Sequence, residues 1–231
     1  MIELAIYSID YLFEIEKDQA TTLVIENTAL FARVIESLWQ VENGEEGSEQ
    51  LSFFDSKNKR LNMAKSSIVI TDPLRFDFHS KVVVSAIHKE LVKIYQDYPE
   101  LLRKLEEFYF LFYSLLEKNL NEQINLDLSI NPKLDLFSLF KFMDIKLEEN
   151  GGKTIFERLL SLIEVIKELN MKELLILVEV QNYLTDEQLA ELLNEISLRK
   201  IQVLFIESRQ RPGKFDSKNY LIDNDFEVFE S

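Results

Sequence analysis

Apolar and polar positions alternate at period two over Ile2-Glu-Leu-Ala-Ile6 and again over Tyr11-Leu-Phe-Glu-Ile-Glu16. That pattern predicts two half-buried strands near the start of the chain. Thr22-Leu-Val-Ile25 is a short apolar run, and Glu26-Asn27-Thr28 after it has turn and N-cap chemistry. From Ala29 the period changes, with Leu30, Phe31, Val34, Ile35, Leu38 and Trp39 at helical spacing. The opening therefore reads as strands, a short turn and a helix. An acidic loop over 42–50 leads to the short apolar element Leu51-Ser-Phe-Phe54. Ser67-Ile-Val-Ile-Thr-Asp72 has the pattern of a buried strand, closed by Pro73.

The middle of the chain is helical. Val84, Ile87, Leu91 and Ile94 place a helix over 81–97, and Pro99 suits the first turn of a second, which runs to about Glu122 and is rich in Leu, Phe and Tyr. A polar connector over 123–135 precedes a third helix at about 136–143. Asn150-Gly151-Gly152 breaks the chain before a fourth helix from Thr154 to Leu169. The end returns to α/β alternation. Glu173-Leu-Leu-Ile-Leu-Val-Glu-Val180 and Ile201-Gln-Val-Leu-Phe-Ile-Glu207 are near-continuous apolar runs, the mark of parallel strands covered on both faces. Between them Thr185-Asp-Glu-Gln188 is a capping box opening a helix to about Leu198. Tyr220-Leu-Ile222 and Phe226-Glu-Val-Phe229 add edge-strand candidates. The expected architecture is an α/β sheet domain, residues 1–76 plus 172–231, interrupted by a helical insertion over 77–171.

Composition narrows the chemistry. Of 231 residues, 41 are acidic and 26 basic, a formal charge of −15, which argues against a generic basic nucleic-acid binder. Five Gly, about 2% against a usual ~7%, leave little for Gly-rich phosphate loops. With no Cys, disulfides, thiol catalysis and Cys-ligated metals are excluded. The N-terminus lacks the basic and apolar regions of a signal peptide, and no apolar run approaches the ~20 residues of a membrane span, so a soluble cytoplasmic protein without a membrane role is expected.

Gly152-Lys153-Thr154 stands at a helix start, but a phosphate loop needs a Gly five residues before its second Gly, where this chain has Leu147. Glu148 and Glu149 would also repel phosphates. Val24-Ile-Glu-Asn-Thr-Ala-Leu-Phe31, the other candidate strand–turn–helix, contains no Gly. Asp72 ends an apolar strand as a Walker-B acid does, and reads more simply as a turn former before Pro73. His79 and His88, nine apart, match no metal spacing and read as surface or boundary residues. No G-x-S-x-G elbow is present.

Two chemistries stay open. The oxygen-rich, Cys-free composition suits a hard cation such as calcium, with Glu117, Glu122, Asp127, Asp135, Glu148 and Glu149 in or beside the connector and the Gly break. The plain alternative is a solvated acidic face. Charge is also uneven. Residues 55–93 hold eight bases (Lys57, Lys59, Arg60, Lys65, Arg75, Lys81, Lys89, Lys93) against four acids, and residues 199–218 hold six (Arg199, Lys200, Arg209, Arg211, Lys214, Lys218) against two, each a net +4. Together they would make one positive surface for a polyanion.

Leu51-Ser-Phe-Phe-Asp-Ser-Lys57, the basic stretch after it and Ile68-Val-Ile-Thr-Asp72 resemble the short form of the type II-A CRISPR adaptation protein, the ring-forming accessory factor that binds DNA ends. The similarity continues through Thr154-Ile-Phe-Glu-Arg158, Glu173-Leu-Leu-Ile-Leu-Val178, Tyr183-Leu-Thr-Asp-Glu187 and Ile201-Gln-Val-Leu-Phe-Ile-Glu-Ser-Arg209, in order over most of the chain. The resemblance implies a P-loop-ATPase-like α/β head without a working nucleotide site and an inserted helical leg. It implies a homotetrameric ring and no enzymatic activity. It implies calcium-dependent, sequence-independent binding of double-stranded DNA ends during spacer acquisition in antiviral defense, alongside the other CRISPR adaptation proteins and the effector nuclease. Carried onto this sequence, it assigns Lys57, Lys59, Arg60, Lys65, Arg209 and Arg211 to the DNA surface, and Glu117, Glu122, Asp127 and Glu148 to calcium (Ca2+). A nucleotide-dependent enzyme built on Gly152-Lys153-Thr154, and a protein-recruiting scaffold without DNA contact, are the competing readings.

Overall fold

A computed structural model describes the chain except residues 46–49, 124–127, 149–151, 172–173, 214 and 231, and the side chains of 121–123. The strands are β1 (Ile2–Ile6), β2 (Leu12–Ile15), β3 (Ala20–Ile25), β4 (Leu51–Asp55), β5 (Ser67–Ile70), β6 (Leu174–Val178), β7 (Gln202–Glu207), β8 (Ser217–Ile222) and β9 (Val228–Glu230). The helices are α1 (Thr28–Glu42), α2 (Met63–Ser66), α3 (Lys81–Asp97), α4 (Pro99–Gln123), α5 (Leu136–Phe142), α6 (Ile155–Glu168) and α7 (Asp186–Arg199). Among the described residues, no helix is long and apolar enough to cross a membrane.

The chain divides into two compact units, Met1–Asp77 with Asn150–Ser231, and Phe78–Glu149. In the first, six strands form a sheet in the order β5-β6-β7-β3-β8-β9, all pairs parallel except β8 with β9. Strands β3, β6 and β7 are buried along their whole length, as their unbroken apolar runs require. A separate antiparallel sheet, β2-β1-β4, buries the inward residues Ile2, Leu4, Ile6, Phe13, Ile15, Leu51 and Phe53. These join Leu30, Val34, Leu38 and Val41 of α1 and Leu23, Ile25, Ile176, Leu204 and Ile206 of the large sheet in one core. Each such aliphatic side chain contributes about 1.5–3 kcal/mol by leaving water. On the large sheet's other side, α6 packs against α7, and α7 against β3.

The insertion is shorter than its sequence pattern suggests. It spans 78–149 rather than 77–171, because α6 belongs to the sheet unit. Leu159, Leu162, Ile163 and Ile166 of α6 are buried, and Arg158 donates from Nε to the Pro73 carbonyl at 3.0 Å and from Nη2 to the Phe76 carbonyl at 2.7 Å. The Gly break, read as lying inside the insertion, falls at its end.

In the helical unit, α3 contacts both α4 and α5. His88 is 3% exposed, with Nε2 3.0 Å from the Ile145 carbonyl and its ring edge-on to Phe137. It is a core histidine, where the sequence suggested a surface or boundary one. His79 Nε2 reaches the Leu147 carbonyl at 2.8 Å, so the two histidines fasten the segment 145–147. Helix α4 is different: none of its described residues is buried, and Phe108, Phe110, Leu111, Phe112 and Leu115 are each more than half exposed.

Candidate nucleic-acid interface

The basic segment begins where β4 ends. Leu51 and Phe53 anchor β4 in the core, and it pairs with β1 from Ile6↔Leu51 to Ile2↔Asp55. Beyond Asp55 the chain folds back. The Asn58 amide donates to the Asp55 carbonyl at 2.9 Å, the Asp55 amide to the Lys59 carbonyl at 2.9 Å, and the Leu61 amide to the Phe53 carbonyl at 2.8 Å. Arg60 forms a β-bridge with Phe54. Asn58 takes a left-handed backbone, φ 56°, which Asn tolerates better than most side chains. The Asp55 carboxylate closes the turn, Oδ1 accepting from the Lys57 and Lys59 amides at 2.9 Å each. Those hydrogen bonds, and less strongly the two ammonium charges, hold its carboxyl below the usual range. Asn62 then caps α2, its Oδ1 accepting from the Lys65 amide at 3.2 Å. Lys57, Lys59, Arg60 and Lys65 are all exposed, and among the described residues none of them forms an ion pair.

The second basic window behaves otherwise. Arg209 is exposed just after β7. Arg211, expected beside it on the DNA surface, has its guanidinium committed within the fold. Nη1 donates to the Gln181 carbonyl at 2.6 Å, Nη2 to the Leu184 carbonyl at 2.8 Å, and Nη2 and Nε to Asp186 Oδ1 at 2.6 and 3.1 Å, while the group lies over the Phe215 ring. Lys218 Nζ is 2.8, 3.5 and 3.8 Å from carboxylate oxygens of Glu14, Glu230 and Glu16, and Arg199 pairs with Glu195 at 2.9 Å. Lys214 lies outside the described residues. Three of the window's six cations are therefore engaged by partners within the fold, while Lys200 and Arg209 are exposed.

The acids assigned to calcium are not gathered by the described residues. Glu117 accepts from the Tyr113 hydroxyl at 3.0 Å, which raises the tyrosine's pKa, and lines a hollow of about 300 Å³ with Leu120, Leu128, Ser129 and Ile130. Glu148 lines a separate hollow of about 620 Å³ with His79, Val84, Leu147 and the ion pair Lys146–Asp144, 2.7 Å apart. The Glu122 side chain, Asp127 and Glu149 lie outside the described residues. Asp135 caps α5. Among the described residues, no three His, Asp or Glu side chains stand close enough to hold a metal ion. Calcium takes six to eight oxygens, so the described residues do not by themselves fit a calcium site.

The two helix starts that the sequence offered for phosphate are closed by the chain itself. Thr154 caps α6 in a reciprocal box with Glu157, whose Oε2 accepts from the Lys153 amide at 2.7 Å and the Thr154 amide at 3.0 Å. A carboxylate thus occupies the donors that a phosphate would need. Gly152, at φ 72°, is required because a Cβ there would lie 2.3 Å from that of Glu157. Between β3 and α1 stand only Glu26 and Asn27, and the Asn27 carboxamide caps the Leu30 amide at 3.0 Å. Asp72 caps the short turn Pro73–Arg75, accepting from the Leu74 amide at 2.9 Å.

Comparison with known proteins decides the family. A family model described as CRISPR-associated protein (Cas_Csn2) matches residues 45–226. The chain belongs to the Csn2 family of CRISPR-associated proteins. A Csn2 protein of Enterococcus faecalis is 30% identical over 212 residues, covering 92% of each chain. One from Streptococcus agalactiae is 30% identical over 207 residues, covering 90% of this chain and 89% of its own. A crystal structure of Stu0660 of Streptococcus thermophilus shares the fold, with a TM-score of 0.62 at 16% identity, over 99% of this chain and 76% of that one. The span matched to the Csn2 family takes in the basic segment, the insertion and the Arg211 loop.

Within this Csn2-family frame, the sequence reading passed over two acids at strand ends. Glu207 closes β7 and is 2% exposed, its Oε1 accepting from the Gln181 amide at 3.0 Å. Burial raises its pKa to about 8, hydrogen bonds from the Gln181 and Val180 amides pull it down, and the neighbouring Glu179 carboxylate adds to the rise. Glu179, at φ 55°, accepts from the Ser208 amide and shares the Asn182 carboxamide with Glu207. The signal lay in the pattern: an acid directly after each all-apolar run, Val178-Glu179 and Ile206-Glu207. Beside them a cavity of about 340 Å³ is lined by Thr22, Gln181, Gln210, Phe215 and Asn219. Its polar groups bond one another, Gln181 Nε2 to Thr22 Oγ1 at 3.1 Å and Ser217 Oγ to Asn219 Oδ1 at 3.1 Å.

Proposed function

We propose that this chain is a non-catalytic, double-stranded-DNA-binding member of its family that acts in CRISPR spacer acquisition. Four exposed, unpaired cations at Lys57, Lys59, Arg60 and Lys65, on a chain of net charge −15, carry this reading. A contact without base readout needs phosphate partners and nothing more, and such cations supply them. Arg209, exposed just after β7, is a further cation for phosphate contact, while Arg211 serves the fold. The parallel sheet supports a P-loop-ATPase-like head used as a frame, since the capped helix starts at Thr154 and Asn27 speak against nucleotide chemistry. Assembly as a homotetrameric ring draws support from the exposed Phe and Leu of α4, which are suited to covering by another subunit. The same helix would serve a recruiting role toward other adaptation proteins and the effector nuclease, and the two roles are compatible.

The test is a gel shift on linear and closed circular duplex DNA, each with calcium and with chelator. The expected result is preference for linear DNA in the presence of calcium, which the family resemblance implies and the described acids do not by themselves supply, and binding that weakens as salt rises. Equal binding to both forms rejects end recognition, indifference to chelator rejects the calcium requirement, and no binding to either form rejects the DNA reading itself. Replacing Lys57 and Lys59 together by Ala is expected to flatten the salt dependence by about two ions' worth of slope.

A further inference from the structure

Asp55 stands at the start of the basic segment, two residues before Lys57, where a negative charge weakens attraction to phosphate. Its geometry gives the reason for its presence. Its carboxylate accepts from the amides of Lys57 and Lys59, its own amide donates to the Lys59 carbonyl, and its own carbonyl accepts from Asn58, all at 2.9 Å. One residue thereby makes four of the hydrogen bonds that define the turn and holds Asn58 in its left-handed conformation. The two other cations are fixed by different means, Arg60 through its bridge to Phe54 and Lys65 through the Asn62 cap. The backbone of every cation in the segment is thus tied down, and for the first pair, Lys57 and Lys59, the tie is Asp55.

We infer that Asp55 is a positioning residue of the DNA contact, presetting the spacing of Lys57 and Lys59 through its carboxylate. The inference rests on the reading of this segment as the phosphate-contacting surface. A cation whose backbone is fixed before binding loses less freedom on contact than one on a mobile loop, so fixing the turn raises affinity without adding a contact. Charge alone predicts the opposite sign for removal of Asp55. Taking a carboxylate out of a basic patch strengthens attraction to phosphate, whereas losing the turn weakens binding.

The experiment compares the full-length chain with Asp55→Ala, Asp55→Asn and the double variant Lys57→Ala/Lys59→Ala on a short linear duplex. It measures affinity by fluorescence anisotropy across a salt series, with circular dichroism to verify folding. Asn keeps the accepting oxygen and drops the charge. Asp55→Ala is expected to weaken binding by about tenfold, the effect of ~1.4 kcal/mol, and to lower the salt slope toward that of the double variant. Asp55→Asn is expected to stay within about twofold of wild type or bind more tightly. If the double variant binds normally, the DNA surface lies elsewhere and the inference falls with that reading. If the double variant is weak but Asp55→Ala binds as well as wild type or better, the DNA reading stands and the positioning role is overturned. If Asp55→Ala loses its fold, Asp55→Asn decides: tenfold weakening there, with the fold intact, makes the charge rather than the turn the active feature and likewise overturns it.

Discussion

Replacing Glu207 by Gln tests whether the buried strand-end acid carries a proton at neutral pH. Its carboxyl has an ordinary value of 4.5 and is raised to about 8 in the fold, mainly by burial. Between those values the folded chain holds a proton that the unfolded chain has released. Unfolding then sheds that proton, so this group's contribution makes stability fall as pH rises from about 4.5 to about 8 and level off above it. At 1.36 kcal/mol per unit, three to four units give about 4–5 kcal/mol as a ceiling, which water entry and local relaxation reduce. Gln is neutral throughout and still accepts from the Gln181 amide. We expect the variant to match wild type or fall slightly below it near pH ~5, and to gain steadily on it as pH rises, by about 2–4 kcal/mol above pH ~8. Urea unfolding at several pH values, followed by circular dichroism and by the single tryptophan, Trp39 on α1 of the sheet unit, measures the difference. Glu42, whose pKa burial also raises, is common to both proteins and cancels. Parallel stability curves for the two proteins over this range would refute the assignment of a buried proton to Glu207.

Three further outcomes follow from the packing. Gly152→Ala places a Cβ 2.3 Å from that of Glu157 at a positive φ, so thermal unfolding should show a loss of about 1–3 kcal/mol without any nucleotide-dependent change. Arg211→Ala removes the charged hydrogen bonds to Gln181, Leu184 and Asp186, and should cost about 1–3 kcal/mol and speed hydrogen exchange over 181–186. Its DNA affinity should change less than that of Lys57→Ala, and equal losses would return Arg211 to the binding surface. Phe110→Ser with Phe112→Ser should leave circular dichroism unchanged, since both side chains are exposed, and lower the mass seen by light scattering; an unchanged mass would count against α4 as a subunit contact.

The secondary structure was legible because its signals are local. Val84, Ile87, Leu91 and Ile94 mark α3, Thr185 with Gln188 marks the start of α7, and the apolar runs at 174–178 and 202–207 mark buried parallel strands. The extent of the insertion was less legible, because α6 is as amphipathic as α3 and sequence does not say which core its apolar stripe meets. Arg158 settled that through two carbonyls more than eighty positions away. The candidate site was legible as charge but not as availability. Lys57 and Lys218 look alike in sequence, yet one is exposed and the other sits among three carboxylates contributed by β2, β9 and the residue after β2. Glu207 escaped notice because burial is a tertiary property, although its place at the end of an apolar run hinted at it.

The contrast between Lys57 and Lys218 bears on how an acidic chain can hold a polyanion. A net charge averages over groups that do different things, and here they can be sorted. Carboxylates at Glu157, Asp55 and Asp72 are spent on backbone amides, where they shape turns and helix starts. Cations at Arg211 and Lys218 are spent on holding elements together, and Arg199 pairs with Glu195 one turn back on α7. The cations left over between Asp55 and Ser67 lie on the turn after β4 and on α2, on stretches of chain other than the helix starts at Asn27 and Thr154. Those two helix starts are capped by the chain's own side chains, Asn27 and Glu157. A frame closed at those points and charged elsewhere is suited to gripping a backbone of phosphates from outside rather than enclosing one nucleotide. On that logic, opening the α6 start by Glu157→Ala should leave DNA affinity unchanged, whereas altering a single cation at 57, 59, 60 or 65 should not.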